Sequence, residues 1–582
     1  MSRAAREAVA ALEHVVATLP GGGEPRSGQS DMAAAVADAI ESGRHLVVQA
    51  GTGTGKSLAY LVPAILSGHT VVVATTTKAL QDQLAGKDLP QVAEALDSEL
   101  GVPVQWAVLK GRGNYLCLQR LREVTDDGGA LDLGDVLSPA VRREIADLAT
   151  WAATTATGDA ADLAWAPSAQ AWEAVTVSSE QCPGITRCPI GEACFAEQAR
   201  RRAQAAQIVV VNTHLYGTHI ASGGVVLPDH KVVVIDEAHE LEDTITATAG
   251  VSLGAGRLGA LARVVRSVLA EPGLVDGLHS AGTALSEALL PHHGAAVPWP
   301  LPVPVADALN LARARIDAVL AALRAIDTEL SDASQRKARA QKAAGSVVGD
   351  IDVAVAAPEG FVAWVEGTQH SPRLELAPVD VGPVLTSGVW DKRVAVLTSA
   401  TVPLGLPERV GLAEDCFDLL DVGSPFDYEE HALLYCAAHL PDPRSAGHAL
   451  AVIDELEVLI AAAGGRTLAL FTSWRAMEAA VASLRPRLPY LVLAQSDLPK
   501  PALIQAFRDD EESCLFATAG LFQGIDVPGD ALRCVIITRL PFRVPTEPIE
   551  QARVEAIEQR GGNPFNEHTV PQAVIKLKQG FG

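Results

Sequence analysis

The sequence runs to 582 residues, a length that predicts about three to five domains. With 48% hydrophobic and 20% charged residues and ordinary Gly and Pro content, it can bury large cores, which excludes a disordered, collagenous or low-complexity chain. The formal net charge of −24 excludes a uniformly basic nucleic-acid coat but leaves room for a locally basic groove.

Residues 1–16 form an Arg- and Glu-bearing amphipathic segment rather than a signal peptide, and no apolar run approaches the roughly 18 residues of a membrane helix. A soluble, cytoplasmic protein with no membrane partner is expected. Short apolar runs recur at His45–Gln49, Val71–Ala74, Val104–Val108, Ile208–Val211 and Val232–Ile235, and again at Val394–Leu397. Helix-like stretches separate several of them, which is the alternation of a parallel α/β sheet. Residues 111–206 interrupt this pattern and carry Cys117, Cys182, Cys188 and Cys194. Residues 251–385 interrupt it again and read as helical. Within them Leu309, Ile316, Leu323 and Leu330 recur every seven residues, with Ala312, Val319 and Ile326 between. That seam predicts a helix packed on one neighbour, with the stretch around Leu258–Leu269 as its partner. The polar, basic run Ser331–Lys342 reads as a solvated loop. A second series, Thr467–Phe471, Tyr490–Leu493, Cys514–Ala517 and Arg533–Ile537, predicts a second α/β domain. Cys416, Cys436, Cys514 and Cys534 stand in apolar surroundings and read as buried thiols.

Ala50-Gly51-Thr52-Gly53-Thr54-Gly55-Lys56-Ser57 follows the first apolar run and opens a helix-like stretch. Strand, glycine-rich loop and helix together make a phosphate loop, whose backbone N–H groups close around phosphate oxygens. Lys56 should reach the β- and γ-phosphates and Ser57 should ligate Mg²⁺. Asp236-Glu237-Ala238-His239 directly follows Val232–Ile235, where ligands of such sheets bind. There Asp236 can hold Mg²⁺ through water, and Glu237 can orient and deprotonate an attacking water. These two elements indicate ATP hydrolysis without saying for what.

Further motifs occur in a fixed order. They are Arg26-Ser27-Gly28-Gln29, the run Thr75-Thr76-Thr77-Lys78-Ala79-Leu80-Gln81-Asp82-Gln83-Leu84, Leu397-Thr398-Ser399-Ala400-Thr401 and Gly423-Ser424-Pro425-Phe426-Asp427. Gly520-Leu521-Phe522-Gln523-Gly524-Ile525-Asp526-Val527-Pro528-Gly529 follows, and the chain ends Leu577-Lys578-Gln579-Gly580-Phe581-Gly582. This ordered set resembles the motifs of superfamily 2 helicases, and most closely the DinG branch of the XPD-like iron–sulfur helicases. The resemblance implies an ATP-dependent 5′→3′ DNA helicase acting as a monomer on single-stranded DNA and on forked, D-loop or R-loop structures in repair or replication, nucleoid-associated when on DNA. It implies that Gln29 contacts adenine, that Gly51–Ser57, Asp236, Gly524 and Asp526 line the ATP–Mg²⁺ site, and that His239, Ser399 and Thr401 couple hydrolysis to domain movement. Thr75, Thr76, Thr77 and Gln83 would support contact with one DNA strand, and Arg112, Arg200 and Arg201 would add phosphate contacts near the cysteines.

Four thiolates can bind Zn²⁺ or hold an iron–sulfur cluster. The cysteines lack the close pairs usual in zinc sites, and one distant ligand with three close ones suits a cubane better. The resemblance makes the group a 4Fe–4S cluster, stapling a wedge beside the first motor domain.

The implied fold is α/β. Two RecA-like P-loop motor domains are expected, with an iron–sulfur domain and a helical arch domain inserted in the first. The expected division is 1–110, 207–250 and 386–420 for the first motor domain, 111–206 for the cluster domain, 251–385 for the arch and 421–582 for the second motor domain. Two departures stand out. Phe522 replaces the family's Trp in the second-domain motif but keeps an aromatic face. The family's Gln-Gly-x-Gly is followed by the stretch supplying an arginine finger, whereas this sequence stops at Gly582. The expectation is a fragment, truncated in its second motor domain, that binds ATP but turns it over slowly. An ATP-gated nucleic-acid clamp with little hydrolysis is the alternative expectation.

Overall fold

The structure is a computed structural model. It describes the chain except residues 20–22, 25, 101–102, 127–137, 328–330, 357, 519–520, 522–526, 528 and 582. Fifteen strands are assigned among the described residues, in three sheets.

The first sheet contains β1 (His45–Gln49), β2 (Val71–Thr75), β3 (Trp106–Val108), β4 (Ile208–Asn212) and β5 (Val232–Asp236). It is completed by β10 (Val394–Ser399) and β11 (Phe417–Asp421), in the spatial order β11-β1-β10-β5-β2-β4-β3. Every pairing in it is parallel. Its central strands are Val-rich and buried on both faces, as a helix-covered parallel sheet requires. β11 was not anticipated. Its FDLLD sequence is charged and largely exposed because it is an edge strand, so it lacks the apolar run of a central one.

β12 (Thr467–Phe471), β13 (Val492–Ala494), β14 (Cys514–Thr518) and β15 (Cys534–Ile537) form the second parallel sheet, in the order β13-β14-β12-β15. The described residues thus hold two α/β units of the expected kind.

Residues 251–385 are not wholly helical, which corrects the sequence reading. β6 (Val251–Gly254), β7 (Ala296–Val297), β8 (Phe361–Thr368) and β9 (Ser371–Pro378) make an antiparallel sheet in the order β6-β9-β8-β7. The run Ser331–Lys342 is also not a loop. It begins the helix Ser331–Ala356, which buries Ala340, Ala344, Val347 and Ile351. The seam Leu309, Ala312, Ile316, Val319 and Leu323 is buried on the helix Val303–Ala325. Its neighbours are Pro272–Leu289 and Ser331–Ala356 rather than Ala255–Arg266, which lies on the far side of both. The four helices close a bundle with one apolar core. Leu330 lies outside the described residues.

Among the described residues, no helix is long and apolar enough to cross a membrane. Cys514 is buried as expected and Cys534 is half-buried, but Cys416 and Cys436 are exposed. Apolar neighbours in sequence did not become neighbours in space there.

Candidate nucleotide and cysteine sites

Strand order assembles the first site. β1, β10 and β5 lie side by side, so their carboxyl ends place Ala50–Ser57, Ser399–Thr401 and Asp236–His239 in one row. β11 adds the turn Gly423–Asp427 on one flank and β2 adds Thr75–Gln83 on the other. Ligands of parallel sheets bind at this edge.

Gly53 (φ 78°) and Gly55 (φ 82°) take left-handed backbone, which lets the loop curl before the helix Lys56–Leu66 begins. Gln29 Nε2 donates to the Gly55 carbonyl at 3.0 Å, and the Arg26 guanidinium donates to the Gly53 carbonyl. Lys56 Nζ lies 3.1 Å from Glu237 Oε1. Glu237 is a non-glycine residue in the left-handed region (φ 57°, ψ 49°), an arrangement costing about 1–3 kcal/mol that surrounding structure must maintain. It aims the carboxylate back across the loop at Lys56.

Asp236 is buried. Burial raises its pKa to about 6, with Glu237 adding to the rise and Lys56 opposing it. Tyr60 donates to its Oδ2 at 3.1 Å, and the Glu237 N–H donates to Oδ1 at 3.0 Å. A buried carboxylate beside a second one calls for a cation. With Ser57 it offers the all-oxygen donors that Mg²⁺ takes, so these residues fit that ion.

His239 joins three segments. Nδ1 lies 2.8 Å from Ser399 Oγ and 3.3 Å from Glu237 Oε2, and Nε2 meets the Gln579 side-chain amide. Ser399 Oγ accepts from the Thr401 N–H at 3.2 Å. Gln579, on the helix Val570–Phe581, thus reaches the carboxyl edge of the first sheet from the far end of the sequence. Gly524 and Asp526 lie outside the described residues. Thr52 and Thr54 sit in the loop, and Thr54 Oγ1 donates to the Gly51 carbonyl at 2.7 Å.

The strand-contact candidates separate. Thr75 is wholly buried and its hydroxyl donates to the Thr77 carbonyl, so it shapes the turn that carries Thr76 and Thr77. Thr77 caps Lys78–Gln83 by accepting from the Leu80 N–H at 3.2 Å. Thr76 is half-buried and Gln83 is exposed.

Cys117, Cys182, Cys188 and Cys194, all unpaired thiols, line one cavity with Arg112, Arg120, Gln335 and Arg339. The last two come from the bundle helix Ser331–Ala356. Burial pushes the Cys117 thiol up to about 12, and the other three thiols add to the rise. Cys194 immediately precedes the helix Phe195–Ala205, whose N-terminus favours negative charge. Among the described residues, no three His, Cys, Asp or Glu groups converge tightly enough to hold a single metal ion. Four thiols lining one cavity are the sulfur donors that an iron–sulfur cluster or a zinc ion takes, so these residues fit such a group in kind. Arg112 is half-buried, ion-paired with Glu197, and lines the cavity beside the thiols. Arg200 donates to the Val225 carbonyl at 3.0 Å, and Arg201 is exposed.

The sequence reading missed Tyr60, and it missed an ion-pair cluster between the two halves of the chain. Glu242 and Asp243, one turn past His239, face Arg543 and Arg553. The only signal available in the sequence was their position just after the acidic motif.

Comparison with known proteins agrees with this geometry. Residues 30–119 match the DEAD/DEAH box helicase family and residues 456–582 the helicase C-terminal domain family. The ATP-dependent helicase DinG of Mycobacterium tuberculosis is 41% identical, the alignment covering 96% of this chain and 88% of that protein. The ATP-dependent DNA helicase YoaA of Escherichia coli is 34% identical, over 96% of this chain and 89% of that protein. A solved XPD helicase superposes with a TM-score of 0.57 at 13% identity, over 96% of this chain and 93% of that one, a likeness of fold.

Proposed function

The chain belongs to the DinG family of ATP-dependent DNA helicases, and from that premise we propose that it spends ATP to move 5′→3′ along single-stranded DNA and part forked, D-loop or R-loop duplexes in repair or replication. The observation carrying this reading is the junction at His239, where the acidic motif, Ser399 and Gln579 of the second half meet. A nucleotide bound on the loop beside that junction acts on both halves of the chain at once.

The residues divide the work. Lys56 now rests on Glu237. The γ-phosphate carries more charge than one carboxylate, so ATP draws the ammonium away and frees Glu237 to orient water and take its proton. Gly51–Ser57 would cradle the phosphates with backbone N–H groups, and Gln29 would read the base. Ser57 and Asp236 would hold Mg²⁺, which supplies charge neutralisation across the β- and γ-phosphates. His239, Ser399 and Thr401 pass the change in the phosphate site to Gln579. Cys117, Cys182, Cys188 and Cys194 would hold a 4Fe–4S cluster, which staples residues 111–206 as a wedge. Thr76, Thr77, Gln83, Arg200 and Arg201 are the proposed strand contacts. The protein works as a cytoplasmic monomer on nucleoid DNA.

The test is Mg²⁺-dependent ATP hydrolysis by anaerobically purified protein, with and without single-stranded DNA, followed by strand separation on a forked duplex. DNA-stimulated hydrolysis and strand separation, both lost in Lys56→Ala, are expected. No strand separation by protein with an intact cluster would overturn the helicase reading.

A further inference from the structure

We propose that Phe426 is the base-stacking residue of the nucleotide site, held in place by Tyr428, so that the base is gripped at its π-face as well as at its edge by Gln29. This rests on the reading of Gly51–Ser57 and Gln29 as the nucleotide site.

The turn Gly423–Asp427 leaves the carboxyl end of β11, which pairs with β1. Its own hydrogen bonds fix it. The Gly423 N–H donates to Asp421 Oδ1 at 2.9 Å, and the Phe426 N–H donates to Ser424 Oγ at 3.1 Å. The turn is also fastened to both parts of the site. The Gly51 N–H donates to the Gly423 carbonyl at 3.0 Å. Just before the turn, Val422 lies against Gly28, so close that a Cβ there would stand 2.8 Å from the Val422 carbonyl oxygen.

Gly53 shows where this places the aromatic ring. A Cβ on Gly53 would stand 2.8 Å from Cε2 and Cζ of Phe426, so only glycine admits the ring. A Cβ on Gly55 would collide with the Gln29 amide in the same way. Phe426 and Gln29 thus press on one loop, two residues apart.

The outer edge of the ring makes the contact with Gly53, and Phe426 remains 55% exposed. Tyr428 stands beside it, with ring centroids 6.1 Å apart and planes inclined at 53°. Tyr428 in turn meets Phe581, at 5.7 Å and 55°, on the helix that carries Gln579. All three rings are exposed. A contiguous apolar row of this kind marks a binding surface, and this one begins at the phosphate loop.

The chemistry of a base identifies the occupant. Gln29 offers amide donors and an acceptor, which recognise a base edge in its own plane. Such bonds leave both faces of the base uncovered. An aromatic ring covers a face whatever the edge pattern, and truncating the ring to alanine costs roughly 5–150-fold in affinity.

The experiment measures binding to the full chain by isothermal titration calorimetry. The ligands are a non-hydrolysable ATP analogue and inorganic tripolyphosphate, which has the phosphates without the base. Phe426→Ala is expected to bind the analogue about 10-fold more weakly and tripolyphosphate as the wild type does. Phe426→Leu, which keeps bulk without a π-face, should lose as much, and Tyr428→Ala should lose less. Phe426→Trp should retain affinity, and its added fluorescence should change with the analogue but not with tripolyphosphate. Wild-type affinity for the analogue in Phe426→Ala or Phe426→Leu refutes the proposal. Equal weakening of both ligands refutes it too, because Phe426 would then shape the loop rather than meet the base. Failure of the wild-type chain to bind either ligand would instead overturn the underlying reading of Gly51–Ser57.

Discussion

The ion-pair cluster joining the two halves of the chain supports a quantitative test at Glu242. This carboxylate is nearly inaccessible and is shared between Arg409 Nε at 2.9 Å and Arg553 Nε at 3.3 Å. Arg553 is itself only 4% exposed and also meets Asp243 at 2.9 Å and Glu550 at 3.3 Å. Arg543 ion-pairs with Asp243 and with Glu550, the latter at 2.7 Å. Burial works against ionising Glu550, but His568, Arg543 and Arg553 hold it down at about 2. Glu242→Gln therefore leaves two guanidinium groups short of one negative charge in a buried setting. Removing one partner of a buried pair costs about 3–5 kcal/mol. Asp243 and Glu550 still reach Arg553, so the low end applies, about 3 kcal/mol, or roughly a 150-fold loss of the docked arrangement. Asp243→Asn should cost less, because that side chain is 42% exposed and water screens it. The assay is hydrogen–deuterium exchange read on peptides spanning Leu241–Thr248 and Pro548–Gln559. Glu242→Gln should speed exchange in both by about two orders of magnitude and leave β1 unchanged. Unchanged exchange in both helices, or a larger effect from Asp243→Asn, would show that this cluster does not hold the two halves together.

Other expectations follow from the same geometry. Glu237→Gln should keep nucleotide affinity and lower the hydrolysis rate by about 10²–10⁴, measured by steady-state phosphate release; a loss of affinity alone would remove Glu237 from the proton-transfer role. His219 and His230 are buried side by side, and burial holds each pKa down to about 4, below the ordinary 6.5. The folded state thus takes up fewer protons than the unfolded chain between pH 6.5 and 4. Stability should be unaffected by them above about pH 6.5 and should fall below it, by about 2 kcal/mol per histidine at pH 5. The double variant His219→Gln, His230→Gln should flatten the dependence of unfolding free energy on pH over that range, and an unchanged slope would contradict the assignment. Cys117→Ser should abolish visible iron–sulfur absorbance in anaerobically prepared protein, and full retention would remove Cys117 from the ligand set.

What the chain alone determines is local. Alternating glycines between an apolar strand and a helix start set the backbone locally, so the strand–loop–helix around Ala50–Ser57 was legible. β1 and β12 were legible residue for residue, because a short apolar stretch between polar and glycine-rich residues has few other uses. The tertiary structure decided which distant residues share an edge. β10 enters between β1 and β5 only after a long excursion through residues 251–385, and that placement brings Ser399 to His239. The same holds for Gln335 and Arg339 reaching the cysteine cavity from the bundle, and for Arg543 and Arg553 meeting Glu242 and Asp243 across some 300 residues. Charged and amide side chains carry no periodicity that announces a partner. Where each one ends up follows from how the apolar faces beneath it pack, and that packing is a property of the whole fold.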